Sequence, residues 1–210
     1  FGKVPTAWGK VGTSPAAYRT VTLASSTNGA FGGSYAVSSS KGNADIKPEV
    51  KTEWEVGADL RLQRNRVDLK ATYYRNHIVD LLYSVTLNPS SGYSSIYANG
   101  GKMENHGLEF DATWRIFDKK DFAWSANLNW SQNKNKVTQL NGTGLLNISS
   151  TSVALEGQPM GVLYRPGVLR DDNGTPILDQ NGFPQLSTGN VVLGDPNPKW
   201  RGGFGMDLSY

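Results

Sequence analysis

The sequence lacks the residues on which several classes of protein depend. It has no cysteine, which excludes disulfide bonds, thiolate zinc sites and thiol catalysis. Its two histidines, His77 and His106, lie far apart without metal-ligand spacing. No apolar run approaches the roughly 20 residues that a membrane helix needs. The formal net charge of +3 is small and both signs are interspersed, which argues against nucleic acid as a partner.

Turn-forming and aromatic residues are abundant instead. The 210 residues include 24 glycines, 10 prolines, 6 tryptophans and 9 tyrosines, a composition that favours an all-β architecture. No Gly-Lys-Ser/Thr phosphate loop and no Gly-x-Ser-x-Gly nucleophile motif occurs in the sequence. We therefore assign no catalytic residue, metal ligand or cofactor, and we do not expect an enzyme.

Five segments alternate between apolar and polar residues with almost no break. In the first of them, Trp54, Val56, Ala58, Leu60 and Leu62 alternate with Glu53, Glu55, Gly57, Asp59 and Arg61. The five segments are 52–62, 66–74, 107–116, 122–131 and 200–210. A period of two indicates strands with one apolar and one polar face.

The alternating runs favour a transmembrane β-barrel over a water-soluble sheet. Each run is about 9–11 residues long, the length that crosses a bilayer at a tilt, whereas ordinary strands average about 5–6 residues. Five of the six tryptophans lie on the apolar faces, mostly towards the ends of the runs, as in the aromatic girdles of membrane barrels. The alternative, a soluble β-sandwich adhesin or carbohydrate-binding module, would also alternate and stays open at this point.

Short and long connections between these runs follow one another in turn. "RLQRNR" and "FDKKDF" are short, whereas residues 12–50, 84–98 and 138–198 are long. Outer-membrane barrels have short periplasmic turns and long extracellular loops. We therefore predict that the three long connections are extracellular, and that 138–198 is the longest of these loops and carries a hairpin.

The stretch "IYANGGKMENHGLEF", residues 96–110, contains two signals that normally mark hairpin turns. It lies between a long loop and a strand that runs towards a short turn. We therefore predict one continuous strand, in which Gly100, Gly101 and Gly107 mark bulges or bends. Leu108 and Phe110 then face lipid, and Glu109 faces the lumen.

Two loop features are candidates for binding. "RDDNGTPILDQNGFPQL" repeats an Asp-x-Asn-Gly pattern at a spacing of eight residues. Asp171, Asn173, Asp179 and Asn181 could supply oxygen ligands to calcium, but the pattern lacks the closing glutamate of an EF-hand. We favour two tight turns on a protruding hairpin.

Tyrosines near the predicted mouth form the second candidate. Tyr93 and Tyr97 are suited to stacking on a sugar or a peptide, although ordinary loop packing explains them as well. Residues 24–43 are rich in glycine and serine with isolated Phe31 and Tyr35, which is typical of a mobile loop tip.

Several phrases in this order resemble TonB-dependent outer-membrane receptors of the SusC/RagA type. They are "AWGKVG" at 7–12, "IKPEVKTEWEVGADLRLQRNRVDLKATYYRNHIVDLL" at 46–82, "YANGGKMENHGLEF" at 97–110, "GQPMGVLYRPGV" followed by "DDNG", and "LGDPNPKWRGGFGMDLSY" at the end. The phrases cover nearly the whole sequence in the order and spacing of that family.

The resemblance implies a piece of a single barrel domain over residues 1–210, about seven or eight of 22 strands, without the plug. It also implies a location in the Gram-negative outer membrane, in contact with its lipid. The implied function is import of oligosaccharides or peptides, with a SusD-like surface lipoprotein and the TonB complex as partners. A TonB-dependent receptor without a lid, for a siderophore or another small ligand, is the alternative within the same family.

Overall fold

The computed structural model describes residues 1–29, 32–140 and 144–210, and Phe31 lies outside this range. Almost all regular structure is β-strand. The strands are β1 (Gly2–Lys3), β2 (Thr6–Thr13), β3 (Ala24–Gly29), β4 (Gly32–Val37), β5 (Ser40–Lys41), β6 (Glu49–Leu62), β7 (Val67–Thr86), β8 (Ser95–Lys119), β9 (Phe122–Leu140), β10 (Leu145–Asn147), β11 (Ser152–Leu155), β12 (Val162–Val168), β13 (Leu186–Gly194) and β14 (Arg201–Ser209). A 3-10 turn, Pro89–Ser91, lies between β7 and β8.

Eight of these strands form one sheet, which confirms the predicted all-β antiparallel fold. Its main path runs β1-β6-β7-β8-β9-β14, with β2 beside β1 along the same edge of β6. These neighbours pair antiparallel, and only the two-residue β5 runs parallel to the start of β8. The sheet is an open section of a barrel wall, with β2 at one edge and β14 at the other.

The strands extend well beyond the alternating segments. β7 has 20 residues and β8 has 25, so β8 is roughly 80 Å long at about 3.3 Å per residue. The predicted long connection 84–98 is consequently reduced to residues 87–94. The end of β7 and the start of β8 pair with each other but lack the amphipathic alternation, so the sequence did not predict them as strand.

Residues 96–110 form a single stretch of β8, and the prediction that neither hairpin signal reverses the chain is confirmed. The Asn99 side chain forms hydrogen bonds instead of a turn. Its oxygen accepts from the Lys47 backbone N–H at 2.7 Å, and its NH2 group donates to the carbonyls of Lys47 at 2.8 Å and Asp80 at 2.9 Å. Gly100 is the extra residue of a bulge between β7 and β8. Gly107, in contrast, keeps a regular register with both neighbouring strands, so a bulge is the wrong explanation for it.

Few apolar side chains of the eight-stranded sheet are buried. Trp54, Trp114, Leu128, Phe204 and Met206 are between 41% and 66% exposed, all on one side of the sheet. Among the described residues, a small core lies at the end of β9, where Val137, Leu140 and Ala154 pack together with Leu146 and Met160 against them. Among the residues that the structure describes, we find no helix with the length and apolar character needed to cross a membrane.

Two smaller sheets complete the fold. β10 to β13 form a four-stranded antiparallel sheet between β9 and β14, so residues 138–198 contain ordered strands. β3 and β4 pair as a hairpin within residues 24–43.

Candidate functional site: the polar face and its cleft

The polar side of the large sheet is a continuous surface of charged and amide side chains. Register places predicted polar residues of neighbouring strands side by side, for example Asp59 with Lys70, and Lys70 with Asp111. Asp68 binds Arg115 at 2.7 Å and lies 3.7 Å from Arg61. Charges of both signs are therefore close neighbours along this face.

A row of asparagine side chains crosses the polar face at the end away from the short turns. Asn76, which is only 5% exposed, donates to the Glu53 carboxylate at 2.8 Å and accepts from the Asn105 amide at 2.8 Å. Lys51 binds the same Glu53 oxygen at 2.6 Å. In the next strand, the Asn135 side-chain oxygen accepts from the backbone of Met160 at 2.6 Å. This row ties β6, β7 and β8 together and fixes the turn at residue 160 against β9.

Gly107 makes room for a contact across three strands. Tyr74 on β7 and Asn133 on β9 are both paired with Gly107, and the Tyr74 hydroxyl donates to the Asn133 side-chain oxygen at 3.0 Å over the glycine. A Cβ atom at position 107 would overlap the Tyr74 hydroxyl and the Gln132 carbonyl oxygen. The glycine is needed for this close approach.

A cleft of about 690 Å³ opens beside this contact, where β9 extends past the start of β14. One wall is the polar face and the other is the segment 195–201, which returns from the small sheet to β14. The lining includes Tyr74, Glu109, Asn133, Asp195, Lys199 and Arg201. The cleft therefore offers hydrogen-bond donors, acceptors and charges of both signs, as a polar ligand requires.

Tyr93 and Tyr97 are half-buried near the β7–β8 connection. The Arg19 guanidinium lies 4.3 Å from the centre of the Tyr97 ring, and Asn43 donates to the Tyr97 carbonyl at 2.8 Å. One face of the Tyr97 ring is therefore occupied by a cation–π contact. Tyr83, which pairs with Ala98 on the same strands, is 7% exposed, and burial raises the pKa of its phenol.

The two Asp-x-Asn-Gly sequences form equivalent turns. One carboxylate oxygen of Asp171 accepts from the backbone of residues 173 and 175, and one of Asp179 accepts from residues 181 and 183, at 2.8–3.0 Å. Gly174 and Gly182 have φ of 82° and 84°. Within the described ranges, no three His, Asp or Glu side chains are grouped so that they could hold a metal ion.

The structure brings together charged residues that the sequence analysis treated separately. His77 and His106 lie in adjacent rows on the apolar side of the sheet, beyond its lipid-facing band, beside Arg75 and Glu104. The amphipathic segment on β7 ended at residue 74, and hence the basic side chains that follow it were missed. Continuing the same parity to Arg75 and His77 would have revealed them.

Known proteins share this architecture. Residues 6–210 match the family described as TonB dependent receptor-like, beta-barrel. The chain is 33% identical over 196 residues to TonB-dependent receptor P3 of Formosa agariphila, covering 80% of this chain and 20% of that protein. It is 27% identical to TonB-dependent receptor SusC of Bacteroides thetaiotaomicron, over 72% of this chain and 17% of SusC.

Solved structures agree on the fold. The RagAB peptide transporter matches the whole chain with a TM-score of 0.81 at 21% identity, over 25% of its own chain. The sequence spans about a fifth of the length of the curated relatives. The predicted resemblance to SusC/RagA-type receptors is thereby confirmed, and the chain belongs to the TonB-dependent receptor β-barrel family of the outer membrane.

Proposed function

We propose that this chain is part of a SusC-like importer that takes up oligosaccharides or peptides with a SusD-like lipoprotein as partner, driven through TonB. The observation that carries the proposal is the cleft between β9 and the returning segment 195–201. Most of its strand residues, including Tyr74, Glu109 and Asn133, belong to the polar side of the sheet, which is the lumenal side when the exposed apolar side faces lipid. Among the relatives, RagAB is a peptide transporter by name.

The chemistry of the cleft supports a polar cargo larger than a simple ion. Amide and hydroxyl groups of Asn133, Asn135 and Tyr74 can bind sugar hydroxyls or peptide groups. Glu109 and Arg201 add one charge of each sign. Such a mixed lining suits repeated weak contacts with a chain-like substrate that must bind and then move on.

The proposal includes two assignments made from the sequence, one for the domain and one for its longest loop. Residues 1–210 are part of one barrel domain, and 138–198 lies outside the cell. The segment between β12 and β13 exposes Leu178 and Phe183 by 53% and 68%, and Leu186 at the start of β13 is 57% exposed. Exposed apolar side chains of this kind are typical of protein interaction sites, and we assign them to contact with the lipoprotein. Tyr93 and Tyr97 remain candidates for substrate contact near the mouth.

The cleft is tested in the full-length receptor by Glu109→Gln and Asn133→Ala. We expect lower affinity for defined oligosaccharides or peptides in an equilibrium binding assay, and slower uptake by cells. Ser125→Ala, on the same face but away from the cleft, is the matched control. Unchanged binding of every substrate that the wild type takes up would show that the cleft is not on the substrate path.

The lid contact is tested by deleting residues 171–182, which removes both Asp-x-Asn-Gly turns. We expect the lipoprotein to co-purify less with the receptor and import to fall. Leu178→Ser with Phe183→Ser removes the apolar contact but keeps the turns, and Ile148→Ser, at a residue also 50% exposed, is its control. If complex formation and import stay normal after the deletion, this assignment is wrong. A neighbouring gene for a SusD-like lipoprotein separates this function from a lid-free receptor.

A further inference from the structure

The outward side of the large sheet changes abruptly from apolar to basic near one end. Register places Trp8, Trp54, Arg75, His106 and Lys134 in one row across β2, β6, β7, β8 and β9. The next row away from the short turns contains Lys10, Thr52, His77, Glu104 and Lys136. We call Lys10, Arg75, His77, His106, Lys134 and Lys136 the outer basic belt.

All six side chains of the outer basic belt are exposed. Glu104 lies 3.1 Å from Arg75 and 3.3 Å from His77, and it is the only acidic residue in the described part of these two rows. One carboxylate thus faces four permanent cations. Five strands at about 4.8 Å spacing and two rows about 7 Å apart make a patch of roughly 19 by 7 Å.

The position of the belt relative to the membrane is set by its apolar neighbours. Directly below it on the same face lie Tyr73 and Leu108, then Trp130 and the apolar rows through Leu128. The belt therefore lies at the boundary of the lipid-facing band, where aromatic side chains form the girdle. It is at the end opposite the short turns 63–66 and 120–121, which are periplasmic in outer-membrane barrels.

The bias towards positive charge belongs to the outward face alone. Lumen-facing residues at the same height are Glu53, Asn76, Asn105 and Asn135, which are acidic or neutral, and Lys51 in the next lumenal row is paired with Glu53 at 2.6 Å. A solvated rim would carry both signs on both faces. A row of cations confined to the lipid-facing side, just beyond a girdle, is complementary to anionic headgroups, which such clusters bind.

We propose that the outer basic belt binds phosphate groups of the outer leaflet, which in this membrane are those of lipopolysaccharide. Lysine and arginine side chains can extend from the girdle to the headgroup level and donate charge-assisted hydrogen bonds to phosphate oxygens. The proposal depends on the position of the barrel in the outer membrane and is independent of the cargo.

The test uses the full-length receptor in detergent with purified lipid A as the probe, in its phosphorylated form and after removal of both phosphates. Lys10→Gln, Arg75→Gln and Lys136→Gln are combined in one variant, and Lys134, which also borders the cleft, is left unchanged. We expect it to bind phosphorylated lipid A roughly a hundredfold more weakly than the wild type, because each of the three cations near an anionic surface contributes about a fivefold effect. Dephosphorylated lipid A should bind equally weakly to both.

Two control variants make the result specific. Arg64→Gln, Lys119→Gln and Lys120→Gln remove the same charge at the periplasmic end and should leave lipid A affinity unchanged. Glu104→Gln removes the opposing carboxylate and should tighten binding a few-fold, a gain that a folding defect does not produce.

Equal affinity of wild type and belt variant, or of the two lipid forms, overturns the proposal. Import is measured in the same strains. A wild-type receptor that prefers phosphorylated lipid A but imports no oligosaccharide or peptide contradicts the transport function only. A belt variant that binds both lipid forms as the wild type does, while the wild type imports normally, contradicts the belt only.

Discussion

At the scale of single residues, the close approach of neighbouring strands leaves no space for a side chain at position 107. Gly107 is flanked by Tyr74 and Gln132, which occupy the space that a Cβ would need. The reason is the hydrogen bond from Tyr74 to Asn133 that passes over it. The glycine was expected to bend the strand, but its role is to let β7 and β9 reach each other.

We predict that Gly107→Ala destabilises the full-length barrel by about 1–3 kcal/mol, because an added methyl group must displace a packed neighbour. The free energy of unfolding in urea, followed by tryptophan fluorescence, measures this. Gly9→Ala is the control, since a Cβ there meets nothing within 4 Å. Equal effects of the two substitutions would contradict the steric explanation.

A second residue-scale prediction concerns Asn76, which bridges Glu53 and Asn105 while almost fully buried. Asn76→Ala leaves the Asn105 amide without this acceptor and Glu53 without this donor, so we expect a loss of about 1–3 kcal/mol. Asn127→Ala, whose exposed side chain makes a 3.4 Å contact with Asp207, should cost much less. Urea unfolding of both variants checks the difference.

At the scale of elements, the two Asp-x-Asn-Gly turns, eight residues apart, have the same hydrogen-bond pattern. Each aspartate caps its own turn through one oxygen. Backbone bonds at the same spacing join Leu169 to Ile177 and Ile177 to Gln185. The repeat thus builds a small ladder from local hydrogen bonds, which explains the pattern without a bound ion.

We predict that Asp171→Ala and Asp179→Ala each loosen the segment 169–185, at about 0.5–1.5 kcal/mol for each hydrogen bond lost. Hydrogen exchange of the backbone amides measures the change. Asp172→Ala is the control, because the Asp172 carboxylate makes no hydrogen bond within the described residues. We expect EDTA to leave the exchange rates unchanged. Faster exchange after calcium removal would favour the calcium alternative.

At the scale of the whole molecule, a sheet with two open faces needs two different environments. Large apolar side chains such as Trp114, Leu128 and Phe204 remain exposed on one side, while the other side carries paired charges and amides. Lipid on the first side and a wet lumen on the second satisfy both faces. Family membership agrees with this division.

The division predicts opposite results for neighbouring residues. Leu128→Arg places a charge on the lipid face near the middle of the apolar band and should cost about 2–4 kcal/mol. Asn127→Arg places it on the lumenal face near Asp207 and should cost little. Folding of the full-length receptor into phospholipid vesicles, titrated with urea, measures both. Similar costs at the two positions would contradict the assigned faces.

The sequence by itself determined the character of each strand. Alternation along segments such as 52–62 and 122–131 is a local property, because successive side chains point to opposite faces whatever the partner is. The two faces, the short turns and the family resemblance could therefore be predicted. Where the alternation disappears, as at the end of β7 and the start of β8, the strand length could not be predicted, because pairing there depends on the partner strand.

Only the tertiary structure decided which residues are neighbours across strands. Register depends on pairing between segments far apart in the chain, and a shift by one residue exchanges the two faces. The observed register places Tyr74 beside Gly107 and Asn133, and it aligns Arg75, His106 and Lys134 in one row. The cleft also arises in this way, because the return of residues 195–201 beside β9 is set by the sheet between them. Faces are encoded locally, whereas the sites on them depend on non-local pairing.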